Sequence, residues 1–210
     1  MSSSLDQAQK SEGVRKASVQ LLLVAYPGAG KGTQATKLAA HYDIAHLSSG
    51  ELLRAEVAQG TRIGRIAADY VTRGDLVPDE LIFEMLTAPL LEAVRQGGYV
   101  LDGFPRTLRQ AQMAYSLAQE IEDVELQAVI HLHVGRDELR ARLRVRGERE
   151  GRADDGDETR ITHRFEVFET ETEPLLAFYA QRGILIEING DQPADLVFGD
   201  IVGAVDSLKT

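Results

Sequence analysis

The chain has 210 residues, and its 33 Asp and Glu outnumber its 23 Lys and Arg, leaving a formal net charge of −10. That length fits one domain, or one domain with an inserted lobe, with room for a sizeable core. The acidic balance argues against non-specific nucleic-acid or anionic-membrane binding, which needs a basic face. With no Cys, a disulfide framework, a Cys-ligated zinc site and a thiol nucleophile are excluded. The basic residues are lopsided: 18 are Arg and 5 are Lys, and nine of the Arg fall between Arg136 and Arg164. Such a concentration in an acidic chain points to a specific anion held there.

Residues Met1–Ser18 are Ser-, Gln-, Lys- and Glu-rich with one Leu and one Val, and read as a flexible tail spanning 1–18. They are too polar for a signal-peptide core and lack the Arg-rich amphipathic stripe of a transit peptide. The longest apolar run, Leu21–Tyr26, is far too short to cross a bilayer, so a cytoplasmic protein with no membrane partner is expected. Val19–Ala25 reads as a buried strand. A weaker strand signal at Ala45–Leu47 is followed by a stretch, Ser48–Arg95, with helical spacing throughout, punctuated by Gly60, Gly64 and Gly74. Pro89 predicts a kink or break within it. Tyr99–Leu101, Ala128–Val134 and Ile184–Ile188 complete the strand signals. Between the last two, a helix over Arg136–Arg146 places Leu139 and Leu143 on an inward face, with Arg142 and Arg146 together on an adjacent one. Gly147–Asp157 (GEREGRADDGD), whose one apolar residue is Ala153, reads as a short exposed loop between two helices. Arg160 and Arg164 repeat the four-residue spacing in the second of them. The alternation of strands and helices predicts an α/β fold with a central parallel sheet and right-handed crossovers.

Chemistry concentrates just after the first strand, in Ala25-Tyr26-Pro27-Gly28-Ala29-Gly30-Lys31-Gly32-Thr33. Closely spaced glycines let backbone N–H groups converge on phosphate oxygens, and the helix starting near Gln34 adds its dipole. Lys31 supplies a mobile cation and Thr33 a hydroxyl for Mg²⁺. The strict phosphate-loop spacing is not met, because Ala25 replaces the opening Gly and Gly32 separates Lys31 from Thr33. A plain Gly-rich turn is the bland alternative.

The form PGAGKGTQ is typical of adenylate kinases and related nucleoside monophosphate kinases, and other segments resemble that family in the same order. They are His46–Arg54 (HLSSGELLR), Gly74–Glu80 (GDLVPDE), Leu101–Thr107 (LDGFPRT) followed by Gln110, then Arg142, Arg146, Gly151–Asp155 and Arg164. The similarity runs from about Val19 to Leu208. It implies a P-loop three-layer α/β/α fold around a mostly five-stranded parallel sheet. It also implies one kinase domain over 19–210, with a helical NMP-binding excursion at about 48–77 and a lid at about 147–157. The lid is of the short kind, without metal-binding cysteines, so no zinc is expected.

The resemblance further implies transfer of the γ-phosphoryl group of Mg·ATP to AMP, giving two ADP, by a monomer whose partners are these small nucleotides. Phosphoryl transfer between two polyanions relies on positioning and electrostatics. Lys31, Arg106, Arg146, Arg152 and Arg164 are the implied catalytic set. Pro27, Gly28, Ala29, Gly30, Lys31, Gly32 and Thr33, with Arg142 on the adenine and Gln192 in the loop Gly190–Pro193, would hold ATP. Ser49, Arg54, Val77, Gly103, Arg106 and Gln110 would hold AMP, with Gln110 reading the adenine edge. Asp102, at the end of a strand, would order Mg²⁺ through water alongside Thr33; a turn or helix cap is its alternative role. Asp154 and Asp155 read as hinge residues and Arg partners. Arg136, Arg140, Arg144 and Arg149 read as a solvated face.

Three features depart from the family pattern. Ala25 and Tyr26 alter the loop's opening, and an extra residue between Asp155 and Arg164 leaves the orientation of Arg160 open. Two other readings stand beside the first: a UMP/CMP kinase of the same fold, and a nucleotide-binding module without catalysis. The segment PRTLRQ favours AMP, since pyrimidine kinases usually carry an Asn shortly after the matched Arg. His131 and His133 alternate within a strand and read as structural, and His163 carries no motif.

Overall fold

The structure, a computed structural model, describes residues 18–121, 123–150, 155 and 157–208. The expected tail up to residue 17 and Arg152 lie outside the described residues. The strands are β1 (Val19–Val24), β2 (Ala45–Ser48), β3 (Gly98–Asp102), β4 (Ala128–His133) and β5 (Leu185–Asn189). The helices are α1 (Lys31–Tyr42), α2 (Ser49–Gln59), α3 (Arg62–Arg73), α4 (Asp79–Arg95), α5 (Leu108–Glu120), α6 (Arg136–Glu150), α7 (Glu158–Val167), α8 (Pro174–Ala180) and α9 (Ala194–Ser207). A π-helical turn, Phe168–Thr172, joins α7 to α8. Every strand predicted from the sequence is present, including β2, with ends shifted slightly.

The five strands form one parallel sheet in the order β2-β3-β1-β4-β5. β1 lies in the middle, which is why its sequence from Leu21 onward is an unbroken apolar run rather than an alternating one. Leu21 and Leu23 point to one face, packed under Leu38, Leu143, Phe165 and Ile201 of α1, α6, α7 and α9. Leu22 and Val24 point to the other, under Met85, Ala111 and Leu175 of α4, α5 and α8. Each such side chain contributes about 1.5–3 kcal/mol on burial, and the two cores give the expected three layers. Among the described residues no helix is long and apolar enough to cross a membrane.

Three details differ from the sequence expectations. α4 runs through Pro89 without a break. Leu81, Ile82, Met85, Leu86 and Ala93 keep helical spacing across it and are all buried. Their combined burial outweighs the roughly 3 kcal/mol that an internal proline costs. Gly64 is not punctuation but lies inside α3, where a Cβ would stand 2.0 Å from the Glu56 carbonyl oxygen, so its bareness lets α2 and α3 meet. Finally, α6 continues past Arg146 and Gly147 to Glu150. Gly147 has Asp155 packed against it, within 3.1 Å of where a Cβ would lie. Asp155 is thus fully buried, not part of an exposed loop.

Candidate active site

The carboxyl ends of the strands open into a cleft of about 730 Å³, the position where open α/β sheets bind ligands. The loop between β1 and α1 forms its floor. Pro27, Gly28, Gly30, Lys31, Gly32 and Thr33 all line it, while Ala29 turns its methyl into the core at 4 % exposure. Gly28 has φ +89°, and a Cβ there would stand 2.9 Å from both the Leu139 carbonyl oxygen and Leu143 Cγ. Only glycine lets α6 pack this close to the loop.

The loop's unusual opening fits without strain. The described non-glycine residues with positive φ are Asp43 and Asp123, so Ala25 adopts an ordinary conformation, buried at 4 % exposure. The Tyr26 ring lies against Phe168 at 4.0 Å and edge-on to Phe165 at 5.5 Å. Its hydroxyl donates to Glu169 Oε1 at 3.1 Å. Burial and this acceptor push the Tyr26 hydroxyl up to about 12, so it stays a donor. Tyr26 therefore braces the loop from behind and leaves the cleft free.

Lys31 is enclosed by the cleft walls, and its Nζ donates to the carbonyl oxygens of Ala25 at 2.7 Å and Tyr26 at 3.1 Å. Burial, with the positive charges of Arg106, Arg164 and Arg146, lowers its ammonium to about 8, against the opposing pull of Asp102. Asp102 ends β3, in register with Ser48 of β2 and Leu23 of β1. Its Oδ2 lies 3.9 Å from where a Cβ on Gly32 would stand, so the carboxylate faces the start of α1. Thr33 and Asp102 both line the cleft. This all-oxygen donor set suits a hard cation such as Mg²⁺, which keeps water and substrate phosphate as its remaining ligands. Among the described residues no cluster of three or more His, Asp or Glu is placed to hold a metal ion.

Across from the loop stand arginines from several elements. Arg54 of α2 and Arg106 meet above Gly50, where a Cβ would be 3.2 Å from Arg54 Nη1 and 3.9 Å from Arg106 Nη2. Arg106 Nε donates to the Gly103 carbonyl at 2.8 Å, and Ser49 Oγ donates to the same oxygen at 2.6 Å. Burial, then repulsion from Arg164 and Arg54, pushes the Arg106 guanidinium below its ordinary value despite Asp102. Arg146 grips Asp155 with two nitrogens, at 2.5 and 2.9 Å, and Arg164 Nη1 reaches the same carboxylate at 2.6 Å. Burial opposes charge on Asp155, but the two arginines outweigh it and hold the carboxyl below the usual range. Arg142 spans from Glu138, at 2.7 Å, to the Gly190 carbonyl, reached by both terminal nitrogens at 3.2 Å.

A smaller cavity of about 90 Å³ adjoins the cleft and shares Gly50, Arg54, Gly103, Arg106 and Arg164 with it. Ser49, Val77 and Gln110 line its far side. The predicted donor and acceptor sets thus face each other across Arg106 and Arg164. Gln192 turns its side chain onto α9, donating to Asp200 at 2.6 Å, and the Gly190 carbonyl of the same loop meets Arg142. The exposed-face reading holds for Arg136 and Arg144, paired with Glu169 and Glu158; Arg140, also paired with Glu158, is half-buried with its guanidinium 5.3 Å over the Phe165 ring, and Arg149 lines the cleft. Arg160 lies 3.7 Å from Asp157 and outside the cleft lining.

Sequence reasoning missed several supports. Thr172 of the π-helical turn donates to the Arg106 carbonyl at 2.8 Å. His163 Nε2 and Asp75 Oδ1 are 2.8 Å apart, joining α7 to the turn after α3, where Arg73 also binds Asp75 at 2.7 Å. Arg73 and then His163 hold the Asp75 carboxyl below its ordinary range. These contacts join residues far apart in the chain and leave no local sequence signal.

Comparison with known proteins agrees with this arrangement. A family model described as adenylate kinase matches residues 23–184. An adenylate kinase of Leifsonia xyli subsp. xyli is 42 % identical over 185 residues, covering 88 % of this chain and 92 % of the relative. One of Phocaeicola vulgatus is 38 % identical over 190 residues, covering 90 % and 100 %. One of a Synechococcus species is 44 % identical over 178 residues, covering 85 % and 91 %. With the family matched over most of its length and the phosphate loop, Asp102 and the opposed arginines gathered in one cleft, the chain belongs to the adenylate kinase family and is an enzyme of ATP:AMP phosphoryl transfer.

Proposed function

We propose that ATP occupies the larger cleft, with its phosphates on Gly28–Thr33 and its adenine beside Arg142, and that AMP occupies the smaller cavity. The observation that carries this assignment is the shared wall: Arg54, Arg106 and Arg164 border both spaces. A γ-phosphoryl group on the loop and an acceptor phosphate between Arg54 and Arg106 would meet there. The acceptor oxygen is ionised near neutral pH, so no general base is needed. The protein's contribution is placement and countercharge. Bound Mg²⁺ neutralises phosphate charge on the donor, and Asp102 and Thr33 are the residues that would hold its water shell. Lys31 would turn from the Ala25 and Tyr26 carbonyls to the phosphates, while Arg106, Arg146, Arg152 and Arg164 stabilise the moving group. Segment 48–77 serves as the acceptor-binding excursion and 147–157 as the lid; closing them excludes water. The protein acts as a cytoplasmic monomer: the assigned residues come from one chain, and both substrates are small nucleotides. A coupled assay with ATP and each of AMP, UMP, CMP and GMP tests the acceptor assignment. AMP is the expected preference, and a pyrimidine preference overturns it.

The lowered ammonium of Lys31 yields a pH dependence. In the ligand-free cleft it is charged below about pH 8 and neutral above, whereas bound phosphate favours the charged form. Binding above that pH therefore takes up a proton. Affinity for ATP is expected to be level up to about pH 8 and then to fall about tenfold per pH unit. Calorimetric titration from pH 7 to 9.5, beside a Lys31→Arg variant that flattens the fall, checks this. A flat wild-type profile would sink the assignment of Lys31.

A further inference from the structure

Gln110 is buried at 2 % exposure, and both ends of its side-chain amide are engaged. Its oxygen accepts from the Arg106 backbone N–H at 2.7 Å, and its nitrogen donates to Asp79 Oδ1, also at 2.7 Å. These partners are not interchangeable. A backbone N–H can only donate, and an ionised carboxylate can only accept. Turning the amide over would set NH₂ against N–H and oxygen against carboxylate, exchanging two hydrogen bonds for two repulsive contacts, one of them against a full charge. One orientation is therefore allowed.

Both partners are fixed in turn. The Arg106 carbonyl accepts from Thr172, and Thr107 caps α5 by accepting from the Gln110 backbone at 3.1 Å. Asp79 opens α4 with 15 % of its side chain exposed, and its second oxygen stands 3.6 Å from Arg109 Nε. Gln110 lines the smaller cavity; Asp79 does not.

A primary amide has two N–H donors and two acceptor lone pairs. Gln110 has spent one of each, which leaves one donor and one acceptor side by side for the cavity. Adenine pairs an amino donor at C6 with an acceptor nitrogen at N1, which complements that couple. Hypoxanthine and guanine carry a carbonyl at C6 and N1–H, the reverse pattern, which suits only the forbidden orientation. We propose that Asp79 is a positioning residue that, together with the Arg106 backbone N–H, locks the Gln110 amide in the orientation that takes a 6-aminopurine and rejects a 6-oxopurine. This rests on the reading that Gln110 meets the acceptor base.

Steady-state kinetics with ATP and three acceptors, AMP, IMP and the 6-unsubstituted purine ribonucleotide, test the lock on the wild-type protein. A locked amide repels the 6-oxo group, so kcat/KM should fall in the order AMP, 6-unsubstituted, IMP, with AMP ahead of IMP by at least about 100-fold. An amide free to turn would accept IMP better than the unsubstituted purine, and that order overturns the proposal. In Asp79→Ala the AMP-to-IMP ratio should drop at least about tenfold, mainly through a rise in kcat/KM for IMP, with KM for ATP unchanged. Asp79→Asn, whose amide oxygen can still accept, should stay within about threefold of wild type. A folded Asp79→Ala protein with an unaltered ratio also overturns the lock. Gln110→Ala separates the two levels: if it leaves kcat/KM for AMP unchanged, the base is read elsewhere and the underlying reading fails. If it impairs AMP while Asp79→Ala keeps the ratio, only the lock fails.

Discussion

Replacing Arg106 by Lys or Ala is expected to lower turnover by roughly 10³-fold, the scale at which arginines on a transferring phosphoryl group act. Arg106 borders both cavities, so its guanidinium can touch the acceptor phosphate and the moving group at once. Its Nε is anchored on the Gly103 carbonyl at 2.8 Å, which aims the terminal nitrogens at the space shared with Arg54. A lysine ammonium is a point charge without that fork, so the conservative change should recover little. The Gln110 amide is held by the backbone of Arg106, so base selection should survive side-chain replacement. KM for AMP should rise and KM for ATP change less. Stability should move the other way. Arg106 is buried beside Arg164 and Arg54, which push its guanidinium below the ordinary value. Removing it relieves repulsion that exists only to meet phosphate, so the unfolding temperature should hold or rise. Kinetics and calorimetry on Arg106→Ala and Arg106→Lys check both arms. A lysine variant with near-normal kcat would remove Arg106 from the catalytic set.

The fold was legible where local chemistry decides the outcome. From Leu21 on, β1 is a run of aliphatics because it is buried on both faces, and the glycine loop follows because Gly28 takes a positive φ and leaves room for α6. β2, at the sheet's edge and half-buried throughout, gave a weaker signal for the same reason. Pro89 and Gly64 misled because their effects depend on what packs around them: a continuous buried stripe in one case, a neighbouring helix in the other. The residues lining the candidate site stood out in the sequence through motif order, but their mutual support did not. Asp79 and Gln110 are 31 positions apart and Arg106 and Thr172 are 66 apart, so their contacts arise only once the sheet has placed α4, α5 and the π-helical turn around one pocket. Arg142 and Gln192 show the same limit. The sequence offered Arg142 and the loop as separate features, and only the fold joins them, through the Gly190 carbonyl, while Gln192 pairs with Asp200.

Neutralising Asp155 is expected to cost about 3 kcal/mol of stability, the lower end for breaking a buried ion group by removing one partner. At this chain length that corresponds to a fall of about 6–12 °C in Tm. Asp155 has no exposed surface, and its two oxygens bind Arg146 and Arg164 from different helices. Asp155→Asn keeps the shape but removes the negative charge that the two guanidinium groups share. The pH dependence has a definite sign. Because the folded carboxyl lies below the usual range, its contribution is complete above the ordinary carboxylate value and is lost as pH falls through the lowered one. Wild type and variant should therefore converge in strong acid and differ most near neutrality. Sulfate supplies a further discriminating test. In wild type the carboxylate already engages the two arginines, so sulfate raises Tm only through the other anion sites of the cleft. In Asp155→Asn the same pair has lost that carboxylate, and sulfate should raise Tm by several degrees more than it does in wild type. A variant that unfolds with wild type at neutral pH, or that gains no more from sulfate than wild type does, would show that the Asp155 charge does not hold Arg146 and Arg164 together.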